Sequence, residues 1–225
     1  MRVCFYFAVL LLASSFGEAQ VVDRIVAVVN RQVILQSQLE QSTQIQFLLE
    51  GKPLEKITPA DQQVVLDQLI DRALLEQQIV TNSMLDPSPD EVAARLRELR
   101  SQIPGAASDQ QWQTMLSNYG VSQHDLEMQI IEQLRVFRFI DLRFRALAHA
   151  DRTAVIAYYQ EKFLPELRKR SAPEPPLTQV SGEIEKILTE QRVDELLNSW
   201  LLALRSQAHI RKLPIESGAA VGATP

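Results

Sequence analysis

Apolar residues fall in two rhythms along this chain. Val21–Asn30 (VVDRIVAVVN) is β-branched and apolar on both faces, the pattern of a short strand. Asn30-Arg31-Gln32 follows as a turn, and Val33-Ile34-Leu35 as a returning strand. From there the spacing turns helical. Ser37, with Glu40 at the third helical position, reads as a capping box. The helix it opens runs to about Glu50 and stops at Gly51. Thr58-Pro59-Ala60-Asp61 opens the next, with an N-cap, a proline at the first helical position and an acid in the first turn. Val65, Leu66, Leu69, Ile70, Ala73, Leu74 and Ile79 follow at helical spacing.

Ser88-Pro89-Asp90-Glu91 repeats the device ahead of Val92, Leu96, Leu99 and Ile103, and Pro104-Gly105 ends that segment. Ser108 opens a short helix closed by Gly120. Ser122 opens a long one, on which Leu126, Ile130, Leu134, Phe137, Ile140, Phe144 and Leu147 step by fours and threes along one face. A further helix spans about Thr153–Leu164. The stretch 165–176, with a basic run and several prolines, reads as a linker. The last long helix starts at Leu177 or Thr178 and carries Val180, Ile184, Ile187, Leu188, Val193, Leu197, Trp200, Leu201 and Leu204 on its apolar side. His209–Leu213 is a closing strand, and 214–225 reads as a disordered tail.

The first residues have a different character. Met1-Arg2 is a short positive start, Val3–Ala13 is apolar, and Gly17-x-Ala19 fits small-x-small cleavage. Residues 1–19 therefore read as a secretory signal peptide; the run is too short to span a hydrocarbon core of about 30 Å. Cys4, the sole cysteine, lies inside it, which leaves the exported chain without disulfides or cysteine ligands. Such a chain must be held by core packing, and its length suffices for that.

Composition agrees with a helical, soluble protein. The 225 residues include only 7 Gly, too few for a turn-rich sandwich or barrel. The 28 acidic residues outnumber the 23 basic ones, for a net charge of −5. That balance argues against a general nucleic-acid binder.

Candidate chemistry is sparse. There is no phosphate-binding G-x-x-x-x-G-K loop, no G-x-S-x-G elbow and no H-E-x-x-H pair. His124, His149 and His209 are far apart and read as surface or helix-end residues. Glu183 and Glu185, two apart on a helix, do not share a face. Arg135, Arg138, Arg143 and Arg145 alternate with Phe137, Phe139 and Phe144, an arrangement known from RNA and membrane contacts. Phe137 and Phe144 fall on the core stripe, however, so the segment reads as an amphipathic core helix with a wet basic side. Trp112 and Trp200 are expected in the core. No catalytic residue, metal ligand or cofactor site emerges, and no motif marks client-contact residues.

Four stretches carry a family resemblance. VDRIVAVVNRQVILQSQLE (22–40) resembles the opening of the SurA-type periplasmic chaperones, and LDQLIDRALLEQ (66–77) their second-helix motif. Gly120-Val121-Ser122, followed by Asp125-Leu126 and Ile130, is similar to the start of their long fourth helix. Trp200-Leu201 through Ile210–Leu213 resembles the helix and strand that complete the same module. The resemblance implies a mainly α fold, a multi-helix chaperone module whose small β-sheet is formed by the N-terminal strands and a C-terminal strand. Residues 20–164 and 177–213 would be its two parts. The family carries parvulin-type prolyl isomerase domains between those parts. Here only 165–176 stand in that place, and a folded domain needs about 50 residues or more.

The function implied is ATP-independent binding of unfolded polypeptides in the periplasm, with outer-membrane β-barrel precursors as clients. No enzyme activity, cofactor, nucleic acid or stable membrane insertion belongs to it. A divergent prolyl isomerase and a non-catalytic helical adaptor of an envelope complex are the alternatives at this level.

Overall fold

The computed structural model describes residues 23–79 and 83–215. The expected signal segment with Cys4, and the tail from 216 onward, lie outside the described residues. The fold is mainly α with one small sheet, as expected.

Strand β1 (Ile25–Val29) is the middle of a three-stranded antiparallel sheet of order β2-β1-β3. β2 (Gln32–Leu35) returns beside it, and Val28 lies opposite Val33. On the other side β3 (Ile210–Lys212) pairs so that Val28 also faces Arg211. The two ends of the chain thus meet in one sheet. Asn30 makes the hairpin turn in the left-handed region, φ 58°, which asparagine tolerates better than most residues. Its backbone N–H donates to the His209 carbonyl at 2.9 Å. Its side-chain oxygen accepts from the His209 N–H at 2.9 Å, and its amide donates to Gln77 at 2.7 Å.

Helix α1 (Gln36–Glu50) begins one residue ahead of the expected cap. Ser37 is already inside it. Its backbone N–H donates to the Asp23 carboxylate at 3.2 Å, and its hydroxyl donates to the other oxygen of that group. These bonds hold the Asp23 carboxyl below its ordinary range. A carboxylate from before β1, brought over by the sheet, does the capping that Ser37 and Glu40 were expected to do. The far end is as expected. Gly51, at φ 63°, sends its N–H to Leu48, and Lys52 donates to Phe47, the left-handed stop that glycine permits.

Helices α2 (Pro59–Glu76), α3 (Pro89–Gln102), α4 (Asp109–Asn118) and α5 (Gln123–Phe144) start on Thr58, Ser88, Ser108 and Ser122. Each of these side chains accepts from the N3 backbone, and the N3 side chain accepts from the cap's own N–H: Thr58 donates to Asp61 at 2.9 Å, Ser88 to Glu91 at 2.7 Å and Ser122 to Asp125 at 2.8 Å. α2 ends at Glu76, so Ile79 lies beyond the helix.

Two cores result. One joins Ile45 and Leu48 of α1 to Val92 and Leu96 of α3, Trp112 and Leu116 of α4, and Leu126 and Ile130 of α5. Trp112 is buried there, as expected. The other packs Val26, Ala27, Val29 and Ile34 of the sheet on Leu39 and on Val65, Leu66, Ile70, Ala73 and Leu74 of α2, with Leu204 and Ile210 against its rim.

Past α5 the chain departs from the expected boundaries. α6 (Arg152–Tyr158) continues through a π turn (Tyr159–Phe163) into α7 (Leu164–Lys169). The helix therefore runs through Pro165 instead of ending at Leu164. A proline in regular α geometry lacks the N–H and crowds the carbonyl four residues back. The wider turn, with the Leu164 N–H reaching the Tyr159 carbonyl, makes room. Only 170–176 then connect α7 to α8 (Leu177–Gln207), a shorter connection than the expected 165–176.

α8 does not have one apolar side. Ile184 is buried toward α6, whereas Trp200 and Leu204 face α5 and α2. At about 100° per residue, positions 184 and 204 point to opposite sides of the helix. The apolar face changes sides midway, which the single expected stripe overlooked.

A charged clasp closes the sheet end. Arg205 of α8 donates to the Asp71 carboxylate (2.6 Å) and to the Asp67 carbonyl (3.2 Å), and Lys212 of β3 donates to the Asp67 carboxylate (2.6 Å). Burial tends to raise the Asp67 carboxyl, but hydrogen bonds from Lys212 and Gln63 and the charges of Lys212 and Arg205 outweigh it and hold it low. A carboxyl depressed in the folded state stabilises that state above its ordinary value and stops doing so as pH falls through the depressed one. Asp67→Asn therefore lowers the urea midpoint at pH 7. The gap from wild type narrows once pH drops below 3.8, and urea titrations at pH 7 and pH 3 check this.

Candidate functional site

The residues singled out for chemistry do not assemble. His124 opens α5, His149 lies past its end and His209 precedes β3. His149 reaches Glu185 at 3.6 Å, on the open surface. Glu183 instead pairs with Lys186 at 2.9 Å, so the two glutamates turn to different partners. Among the described residues no three His, Cys, Asp or Glu side chains gather as a metal would need.

The α5 arginines are engaged within the protein. Arg135 pairs with Asp86 at 3.1 Å. Arg138 donates to the Asp86 carbonyl at 2.7 Å and to the Glu91 carboxylate. The Ser88 backbone N–H and the Arg138 guanidinium hold the Glu91 carboxyl down to about 2. Arg145 pairs with Asp141. Arg143 stacks on Trp200, 4.4 Å from the ring centroid. These contacts tie α5 to the α2–α3 connection and to α8, and they leave no cationic stripe along the helix.

Trp200 is half-buried, contrary to the expected core position. Its indole lies 5.9 Å from the Phe139 ring and, edge-on, 5.5 Å from Phe144. The larger departure concerns Phe137. Ile130, Phe137 and Phe144 lie seven residues apart on one line of α5. Ile130 is 2% exposed and Phe144 6%, but Phe137 between them is 62% exposed. The α1–α3–α4 core covers one end of the helix and Trp200 covers the other. Nothing in the described fold covers the middle.

Phe137 stands between two clefts. One, of about 350 Å³, is walled by Leu75, Asp71 and Arg72 of α2 and by Gln133, Val136 and Ile140 of α5. The other, of about 430 Å³, lies toward α3, between Arg95 and Ile130, Gln133 and Leu134. The first continues past Gln68, Arg72 and Gln133 into a polar cleft of about 270 Å³ against α1, lined by Ser42, Gln46, Leu49 and Gln129. The charges at the rim are paired: Arg72 with Glu132 at 3.4 Å, Arg95 with Glu98 at 2.6 Å. Burial and Glu76 push the Glu132 carboxyl up, and Arg72 pulls the other way. The arrangement is an apolar notch with a polar flank of carboxamides and of the paired charges Arg72 and Glu50. It can take up an apolar side chain, and it offers no nucleophile, acid–base pair or metal site.

Sequence periodicity put Phe137 in the core. The signal it lacked was the rest of the helix: Val136, Phe139 and Leu142 lie off the stripe, so apolar side chains leave α5 on more than one side, between the charged residues 132–143. One neighbouring core cannot cover all of them. Here Leu142 is exposed as well.

A family model described as the SurA-like N-terminal domain matches residues 2–139, more than half of the chain. The chain belongs to the SurA-like N-terminal domain family. Among curated proteins, "Chaperone SurA" of Pseudomonas aeruginosa (strain PAO1) is 31% identical over 135 residues, covering 56% of this chain. This SurA-like chain matches 31% of that relative's length. The family match spans the sheet hairpin and α1 through most of α5, including Phe137. The α8–β3 portion that completes the sheet lies beyond it.

If the notch is not part of the packing of this SurA-like domain, Phe137→Ser changes stability by no more than about 0.5 kcal/mol. Phe144→Ala, seven residues on, costs about 3–5 kcal/mol. Urea unfolding of the two variants beside the wild type measures the contrast.

Proposed function

We propose that this chain is an ATP-independent chaperone of the periplasm that holds unfolded polypeptides, outer-membrane β-barrel precursors among them, by apolar side chains seated in the notch at Phe137. The observation that carries the reading is the uncovered Phe137, a large aromatic ring on the buried line of its helix that is open to solvent in this chain, a member of the SurA-like N-terminal domain family. The similarity to the Pseudomonas aeruginosa chaperone supports it. The expected leader at 1–19 supports export, and among the described residues no helix is long and apolar enough to cross a membrane.

The energetics suit holding and release. Covering one apolar side chain yields about 2 kcal/mol, far from the roughly 8 kcal/mol of a micromolar complex. One notch therefore binds weakly and reversibly. Useful affinity comes from several contacts along one unfolded chain, which dissociate without any nucleotide cycle. Binding the unfolded form keeps its free concentration, and so its aggregation, low. Barrel strands present apolar residues at every second position, so each strand offers the notch several side chains. No step in this mechanism makes or breaks a covalent bond.

At about equimolar ratio the full chain should suppress the light scattering of a urea-denatured outer-membrane barrel protein diluted into buffer. Phe137→Ser, folded by circular dichroism, should lose most of that suppression. Undiminished aggregation in the presence of the wild-type chain would overturn the proposal.

A further inference from the structure

The cleft beside the notch is lined by carboxamides with nothing to hold. Gln68 of α2 and Gln129 and Gln133 of α5 face one another across it. Their side chains make no hydrogen bond to a described group, as is also true of several exposed glutamines elsewhere in the fold; what sets these three apart is that they line one cleft together. Gln68 and Gln133 are exposed and Gln129 is half-buried. Each carboxamide offers one carbonyl acceptor and an N–H donor, the same pair that a peptide group presents.

The spacing is suited to an extended chain. Gln129, Gln133 and Phe137 follow one another at four-residue steps along α5, a rise of about 6 Å per step. In an extended polypeptide, successive residues on one side are about 6.6 Å apart. A strand lying along α5 therefore sets alternate peptide groups against Gln129 and Gln133 and brings a following side chain to Phe137. Gln68 reaches the same strand from the opposite wall. The charges that line it are paired within the fold, Glu50 with Lys52, Arg72 with Glu132 and Asp71 with Arg205, so no unpaired charge selects the client.

We propose that the carboxamides of Gln68, Gln129 and Gln133 hold the main chain of an extended client through its peptide N–H and C=O groups, while Phe137 takes an apolar side chain. This rests on the client-binding reading above and adds the part of the client that is read. The main chain is common to all sequences, so such contacts add affinity without narrowing the range of clients. A folded protein, whose peptide groups are paired internally, cannot supply them.

The test uses a fluorescent, unstructured, apolar-rich peptide and the same peptide N-methylated over a run of successive residues, each titrated into the full chain by anisotropy. Methylation removes the donors and blocks close approach. The wild-type chain should bind the methylated peptide about tenfold more weakly, the worth of one or two net hydrogen bonds. The double variant Gln129→Leu/Gln133→Leu should bind the unmodified peptide about tenfold more weakly and no longer tell the two apart. Phe137→Ser should weaken both and keep the preference. Equal binding of the two peptides by the wild type would overturn the main-chain contact and leave client binding standing. Failure to bind either would overturn both. Should the double variant not fold, the two-peptide comparison on the wild-type chain decides alone.

Discussion

β1 cannot be completed by its own neighbourhood. β2 covers one edge of it, but the other needs β3, from the opposite end of the chain. Closing a loop of that length costs roughly 5 kcal/mol. The structure concentrates polar contacts where that cost must be met. Asn30 bonds three ways to His209 and Gln77, and the Asp67–Asp71–Arg205–Lys212 clasp ties α2 to α8 and to β3 together. Of these side chains only Asp71 also lines the cleft beside Phe137; the others lie away from it.

The link is α8. Its 31 residues make a strut of roughly 46 Å, pinned at the sheet end by the clasp. Pinning fixes both its height and its rotation. Height sets Trp200 against Phe144 and Phe139 near the end of α5. Rotation sends Ile184 the other way, into the small hairpin formed with α6 and α7. The first core, in turn, stops at Ile130. Between Ile130 and Phe144 lie about four helical turns of α5, with Phe137 midway. The notch is thus a consequence of two lobes held apart, and no local feature around Phe137 forms it.

This explains what could be read from the sequence. Capping is local chemistry, a Ser or Thr and an acceptor or donor three residues on, and Thr58, Ser88, Ser108 and Ser122 were legible for that reason. The mainly α fold and the meeting of the terminal strands were legible too, the second only through family resemblance. Ser37 misled because the same residue types also serve a tertiary partner, Asp23, whose position depends on the sheet. Pro165 misled because a π turn reconciles it with a continuing helix. The α8 stripe misled because a helix passing between two lobes owes each a different face. Phe137 was the costliest error. Periodicity says which residues share a line, and only the placement of neighbouring elements says how much of that line is covered. The amides beside it left no trace in a search for catalytic motifs, since glutamine belongs to none of them.

A notch formed in this way selects by conformation rather than by sequence. On a folded protein apolar side chains are packed and peptide groups are paired, so neither the ring of Phe137 nor the free carboxamides find a partner. An unfolded segment offers both along its whole length. The polar flank also limits a hazard of the apolar centre: hydrated carboxamides and paired charges border the exposed ring, and a polar rim of this kind disfavours self-association. A more cohesive fold would bury that ring and gain stability, and it would lose the surface on which the proposed activity depends, a trade familiar at functional sites.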